Sequence, residues 1–300
     1  MEKIFLVIDE SGAKGYSDNR EKHFGEVGVM AGFLVPEKYL ESVRTDLEYI
    51  KKKYFTDGKV HITDLEPENQ ESLRQEIFEY ILHRNIICLF EAIHSEGFFQ
   101  QSEFVKNLHK EARERRRSKV KVSKNEKKEL LHEQLFQGAF GKAIAMCQDN
   151  VGEIFHLSVI TDQIDLSIKK KFENAAEELL NFGNKKIKIV TGFDPEKKEK
   201  VTGAITTSIE NHKEILGDFS GINYSIECED SGLTLAADVI ANSLNYHFTK
   251  RPEENLGAPL NTKSALEGYP LESIMYGLWE SEELNYFSDA IFMHPEDPSK

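Results

Sequence analysis

Residues 4–12 read IFLVIDESG, and this stretch decides the fold. The apolar, partly β-branched run breaks at Glu10-Ser11-Gly12, a turn signal, so it reads as a buried strand that delivers Asp9 to its end. A second strand is expected over 25–35, GEVGVMAGFLV, and the short polar link between the two suits an antiparallel hairpin. After Pro36, apolar residues at Tyr39, Leu40, Val43, Leu47, Ile50 and Tyr54 fall at the spacing of an amphipathic helix. A helix is also expected over 67–84, where Pro67 suits the first turn and Glu68 the helix N-terminus. A strand over 86–93 and a long, largely apolar helix over 127–149 follow. Strands at 155–162, 185–191 and 222–228 then alternate with helices at 167–182 and 233–248, and residues 197–215 read as a loop or short helix. A mixed sheet with right-handed crossovers is the economical arrangement. The fold class is therefore α/β, a mixed β-sheet flanked by helices. Residues 1–250 form the main domain, with a helical, basic insertion at about 104–128. Residues 251–300, which hold five of the eight prolines, read as a C-terminal extension that packs on the core and ends in a frayed tail.

Composition agrees with this reading. A length of 300 residues exceeds the usual single domain without making a secure case for two. Hydrophobic residues at 39%, with 19 Phe and 10 Tyr, fill a sizeable core and exclude global disorder. No apolar run approaches the roughly 20 residues of a spanning helix, and the start MEKIFLVIDESG turns acidic too early for a signal peptide. A soluble, cytoplasmic protein without a membrane partner is expected. Cys88, Cys147 and Cys228 are odd in number and lack CxxC spacing, which fits reduced core residues rather than disulfides or a zinc site.

Charge is distributed unevenly. The net charge is −14, yet residues 106–128 carry eleven Lys and Arg against three Glu, a local +8 that leaves −22 on the rest. Surface charges reach only about 8 Å at physiological salt, so a ligand touching this segment responds to the local sign. Arg113, Arg115, Arg116, Arg117, Lys119 and Lys121 are the candidate phosphate contacts; a plain solvated helix or loop is the alternative.

The sequence lacks GxxxxGK[ST], GxGxxG, HExxH and GxSxG, which weighs against nucleoside-triphosphate, dinucleotide, zincin and serine-hydrolase chemistry. What remains is a set of acidic residues at the ends of expected buried elements. Asp9 and Glu10 close the first strand, Asp162 closes the strand FHLSVIT with Asp165 three residues on, and Asp238 interrupts the apolar helix LAADVIAN. Each also has a structural reading: a turn at 9–12, a helix cap at Asp162 or Asp165, a solvent face at Asp238. Taken together, carboxylates at the carboxyl ends of central strands converge on one rim, where their mutual repulsion is relieved by a divalent cation. Mg²⁺ suits such oxygen ligands and keeps waters and substrate phosphates in its shell. Two ions about 3.5–4 Å apart serve phosphodiester hydrolysis.

Four motifs in order, IDESG at 8–12, VHITDL at 60–65, VITDQ at 159–163 and LTLAADVIAN at 233–242, make the chain resemble the domain-of-unknown-function 3800 family from about Lys3 to Phe248. The resemblance implies a ribonuclease H-like fold, shared with ribonuclease H, transposases and junction resolvases, which use acidic residues and two metal ions on nucleic acid. Carried over by position, Asp9, Asp162 and Asp238 are the expected metal ligands, with Mg²⁺ or Mn²⁺ as the cofactor. Glu10 belongs to the first motif, and His61 and Asp64 match the family's His-containing segment. His61 is a candidate proton shuttle, since its unperturbed pKa near 6.5 allows both forms at neutral pH, or else a structural histidine orienting a loop. The other nine histidines share no spacing and receive no role.

The expectation is a metal-dependent nuclease that hydrolyses phosphodiester bonds of RNA or DNA, with catalytic Asp9, Glu10, His61, Asp162 and Asp238. A place in a bacterial or phage defence assembly with a protein partner goes with it. The competing readings are a non-catalytic nucleic-acid- or protein-binding module of the same fold, and a phosphoesterase for a small nucleotide.

Overall fold

A computed structural model describes residues 1–56, 61–115, 121–122, 130–182, 184, 186–194, 197–208, 218–277 and 287–295. Its strands are β1 (Glu2–Gly12), β2 (Val27–Pro36), β3 (Cys88–His94), β4 (Lys121–Val122), β5 (Phe155–Thr161), β6 (Lys186–Asp194), β7 (Glu199–Thr207), β8 (Ile222–Cys228) and β9 (Met275–Tyr276). The helices used below are α1 (Glu37–Tyr54), α2 (Pro67–Arg84), α3 (Ser95–Arg115), α4 (Leu131–Val151), α5 (Leu166–Leu180), α6 (Gly232–Thr249) and α7 (Phe287–Ile291).

Six strands form one mixed sheet in the order β8-β5-β1-β2-β3-β9. β1, β2 and β3 make an antiparallel meander, whereas β5 runs parallel to β1 and β8 parallel to β5. This is the mixed, helix-flanked sheet expected from the sequence. β1 lies inside it, which is why its sequence is a continuous apolar run rather than a polar-apolar alternation. Successive residues still face opposite layers: Phe5 and Val7 join the core beneath α1, α2 and α6, and Ile4, Leu6 and Ile8 join the core beneath α4 and α5. Continuing that alternation sends Asp9 toward α6 and Glu10 toward α4.

Helix α6 is the axis of the first layer. Leu233, Leu235, Val239, Ile240, Leu244 and Phe248 are buried along it, and Ala236, Ala237 and Ala241 keep it close to the sheet. Its start is set by Ser231, whose Oγ accepts the Leu233 N–H at 3.2 Å while Thr234 Oγ1 accepts the Ser231 N–H at 3.1 Å. Gly232 follows because a Cβ there would lie 2.3 Å from the Leu47 carbonyl carbon of α1; its N–H donates instead to Glu48 at 2.8 Å. Burying each of these large side chains contributes about 1.5–3 kcal/mol, so truncating Leu244 to Ala costs about 2–5 kcal/mol.

Three local expectations change. Residues 199–207 form β7 rather than a loop or short helix: EKVTGAITT is rich in β-branched residues, and Lys198, at φ +57°, stands in the turn that brings it back on β6. β6 leaves the main sheet and pairs with β4 and β7 in a separate three-stranded sheet. Tyr39 is exposed, while Leu40, Val43, Leu47 and Ile50 supply the buried face of α1. The basic segment is helical at its start, within α3, and enters the small sheet at β4. Of the chain after residue 250, Leu260, Leu266, Tyr269, Leu271 and Met275 are buried in the core and β9 pairs with β3, while 278–286 and the expected frayed tail at 296–300 lie outside the described residues.

Candidate active site

β1 and β5 are paired in parallel up to Ile8 opposite Thr161. The next residues, Asp9, still inside β1, and Asp162, just past the end of β5, therefore lie side by side with the strands about 4.8 Å apart. β1 runs on past the expected end at Asp9 because residues 9–12 stay paired with β2. Gly12 ends β1 at φ +81°, and a Cβ there would lie 2.2 Å from the Val27 carbonyl oxygen and 2.3 Å from Asn245 Nδ2 of α6, so glycine lets the helix approach this strand end.

Asp238 reaches the same rim from α6. Its carboxylate is buried and its Oδ2 accepts the Ile62 N–H at 2.7 Å, across 176 residues of sequence. That bond docks a short 3-10 turn, Ile62–Asp64, in which Asp64 Oδ2 accepts the His61 N–H at 3.0 Å. The turn holds the His61 ring between two carboxylates: Nδ1 is 3.8 Å from Asp238 Oδ2 and Nε2 is 3.9 Å from Asp162 Oδ2. Asp9, His61 and Asp238 each offer one ligand atom, and all three atoms lie within 4.8 Å of one another. The group opens into a polar cleft of about 720 Å³ that also receives Glu10, Lys14, His132, Asp165 and Asn242.

Asp238, Asn242 and Asn245 form a polar stripe on α6 with three separate uses. Asp238 docks the turn, Asn242 lines the cleft, and Asn245 donates from Nδ2 to the Val27 carbonyl at 2.9 Å. The solvent-face reading of Asp238 is thereby overturned, because the carboxylate sits between α6 and the turn. Asp165 occupies the residue before α5, with no side-chain hydrogen bond to that helix, and Asp162 Oδ1 accepts the adjacent Gln163 N–H at 2.6 Å.

The adjacent carboxyls of β1 are tuned in opposite senses. Burial, followed by the charges of Glu10 and Asp238, pushes the Asp9 carboxyl well above the usual range. Burial also raises Asp238, partly offset by the Ile62 N–H and by His61. Burial acts on Glu10 in the same direction, but a hydrogen bond and charge from His132, then the Lys14 ammonium, outweigh it and hold Glu10 well below the usual range. His132 Nε2 lies 3.3 Å from Glu10 Oε2, and Lys14 Nζ lies 2.6 Å from Oε1.

All five residues expected to be catalytic line the one cleft. Within it, the tightest three-ligand set replaces Asp162 by His61, and Asp162 stands on the far side of the imidazole. His132 joins the site without a signal in the sequence: it sits in the first turn of an apolar helix, with no nearby partner along the chain to mark it. Among the expected phosphate contacts, Arg113 and Arg115 belong to α3 and Lys121 to β4. Arg116, Arg117 and Lys119 lie outside the described residues. No helix among the described residues is long and apolar enough to cross a membrane. Comparison with known proteins finds no family model that matches the chain and no similar curated protein.

Two buried carboxylates and an imidazole are a donor set for a divalent cation. The Asp9 and Asp238 carboxyls are raised first by burial and then by neighbouring carboxylates, and a nearby positive charge would favour their ionised forms. Oxygen donors suit Mg²⁺ and Mn²⁺ alike, and the imidazole nitrogen tips the set toward Mn²⁺.

Proposed function

We propose that this chain is a metal-dependent phosphodiester hydrolase that cleaves RNA or DNA, built on a ribonuclease H-like sheet. The observation that carries the reading is the convergence of Asp9, His61 and Asp238, from three distant parts of the sequence, beside Asp162 in an open polar cleft. The antiparallel meander continued by two parallel strands supports the fold part of this reading. Asp9 and Asp238 would hold the cation, with His61 or Asp162 completing the set. When bound, the metal supplies Lewis-acid activation of the phosphate and an acidified water. His61 is half-exposed and its ring is oriented between two carboxylates, so where Asp162 rather than His61 completes the cation's set, Nε2 is placed to hand a proton to the departing oxygen. Lys14, exposed at the cleft edge and anchored by Glu10, is placed to meet a phosphate oxygen.

The test is incubation of the protein with single- and double-stranded RNA and DNA, and with a mononucleotide, in Mg²⁺, Mn²⁺ or EDTA. Polymer fragments that appear only with metal are expected. Hydrolysis of the mononucleotide alone would turn the reading to a small-nucleotide phosphoesterase. Binding of a polymer with no cleavage in either metal would turn it to a non-catalytic module.

A further inference from the structure

The separate sheet β4-β6-β7 carries a face that the cleft does not explain. Ile187, Ile189 and Phe193 alternate along β6 and are 61%, 71% and 44% exposed. Alternation puts them on one side of the strand. Their partners on β7 are Thr206, Ala204 and Lys200, all exposed. Phe193 is thus directly opposite Lys200 on one neighbouring strand, and it pairs in register with Lys121 on the other.

Charge decides what covers this apolar strip. Residues 185–200 hold six lysines against three acidic residues, a local +3. Lys121 and Val122 of β4, which pair with β6, belong to residues 106–128, a stretch of sequence that carries +8. The two segments together carry +11, and the remainder of the chain carries −25. A two-fold dimer through this face would set two such basic regions against each other, where like charges repel. A flexible polyanion with planar, apolar faces matches both properties. We infer that the β4-β6-β7 sheet is a platform for single-stranded nucleic acid, on which a base stacks against Phe193 while Lys200 meets a flanking phosphate. A duplex hides its base faces, so only a single strand can use the aromatic ring. Ile187 and Ile189 extend the strip along the strand, giving further bases and sugars an apolar bed. The inference takes its partner class from the proposed function, but it concerns binding outside the cleft and stands or falls separately from cleavage.

Fluorescence anisotropy in EDTA, with labelled single-stranded oligonucleotides and a duplex of equal length, measures this binding without turnover. The full chain is expected to prefer the single strand. Phe193→Ala should weaken that binding about 5- to 100-fold, the worth of one base stack, with an unchanged salt slope, and Phe193→Trp should restore it. Lys200→Ala should instead lower the slope of log K against log salt by about 0.7. Both side chains are exposed, so circular dichroism should show the fold intact. Equal binding by wild type and Phe193→Ala would overturn the inference. So would a change of oligomeric state in Phe193→Ala with oligonucleotide binding untouched, which would make the face an interface with protein. Metal-dependent cleavage that survives Phe193→Ala with unaltered binding leaves the nuclease reading standing and removes the platform. Stacking without any cleavage does the reverse.

Discussion

Asp9 and Glu10 are neighbours on one strand, enter one cleft, and have opposite electrostatic environments. Glu10 faces α4, whose His132 Nε2 lies 3.3 Å from one of its oxygens, and the Lys14 ammonium lies 2.6 Å from the other. Asp9 faces α6, where the nearest charged groups include another buried carboxylate, Asp238, and its carboxyl is pushed up rather than down. The Glu10 side is electrostatically complete. The Asp9 side gathers carboxyls that a cation would balance, and on the proposed function the difference separates a structural pairing from a ligand set in adjacent residues.

The largest effect should come from cutting into the Asp9 side. Asp238→Asn keeps the shape but removes a charge, and it should reduce metal-dependent cleavage by at least about 100-fold, since even residues that only support a metal ligand are worth 10- to 100-fold. The cleavage rate in Mn²⁺ and Mg²⁺ reads this, and full activity in the variant would remove α6 from the site. Glu10→Gln should leave metal binding in place. Its cost should appear as about 1–3 kcal/mol of stability at neutral pH, in urea unfolding, because the charge-assisted hydrogen bond from Lys14 and the close approach of His132 Nε2 weaken with the charge.

The same pair gives opposite pH dependences without metal. A carboxyl whose folded pKa is raised binds its proton more tightly in the folded state, so its contribution falls as pH rises from about 4 through the raised value. Asp9→Asn should therefore raise the melting temperature at pH 7, and the gain should vanish near pH 4. Glu10, held low, contributes above about 4 and loses that contribution as pH falls below it. Glu10→Gln should accordingly lower the melting temperature at pH 7 and converge on wild type in acid. Parallel melting curves of both variants from about pH 2 to pH 8 check the signs; variants that move together would dissolve the contrast.

What the sequence reveals follows the range of the interactions. The β1 strand, the helix interrupted by Asp238 and the strand ending at Asp162 are legible because a carboxylate stands out against local apolar periodicity. The seat of His61 is not, since the bond from Ile62 to Asp238 spans 176 residues and no local pattern encodes it. His132 is silent for the same reason: its partner Glu10 is brought to it only when α4 packs on the sheet. β7 is hard to read because its alternation of polar, small and β-branched residues never builds an apolar run, and its pairing with β6 makes a sheet outside the main core. The buried link of Asn261 to the Ala92 backbone and to Asp289, which ties the C-terminal chain to β3, is likewise a product of tertiary structure.

A smaller effect belongs to the basic segment. Replacing Arg115, Arg116 and Arg117 together with Ala should weaken nucleic-acid binding and lower the slope of log K against log salt by roughly 0.7 to 0.9 for each phosphate that is no longer neutralised. Anisotropy across a salt series reads it, and an unchanged slope would assign the segment to solubility or to a protein partner.

The claim that Asp9, His61 and Asp238 form a cation site is tested most directly by calorimetric titration of Mn²⁺ into wild type, Asp9→Asn, Asp238→Asn and Glu10→Gln. Wild type and Glu10→Gln are expected to bind with similar affinity, and each Asp variant to bind at least about 100-fold more weakly. Absence of binding in wild type, or equal Mn²⁺ affinity in all four proteins, would contradict the account.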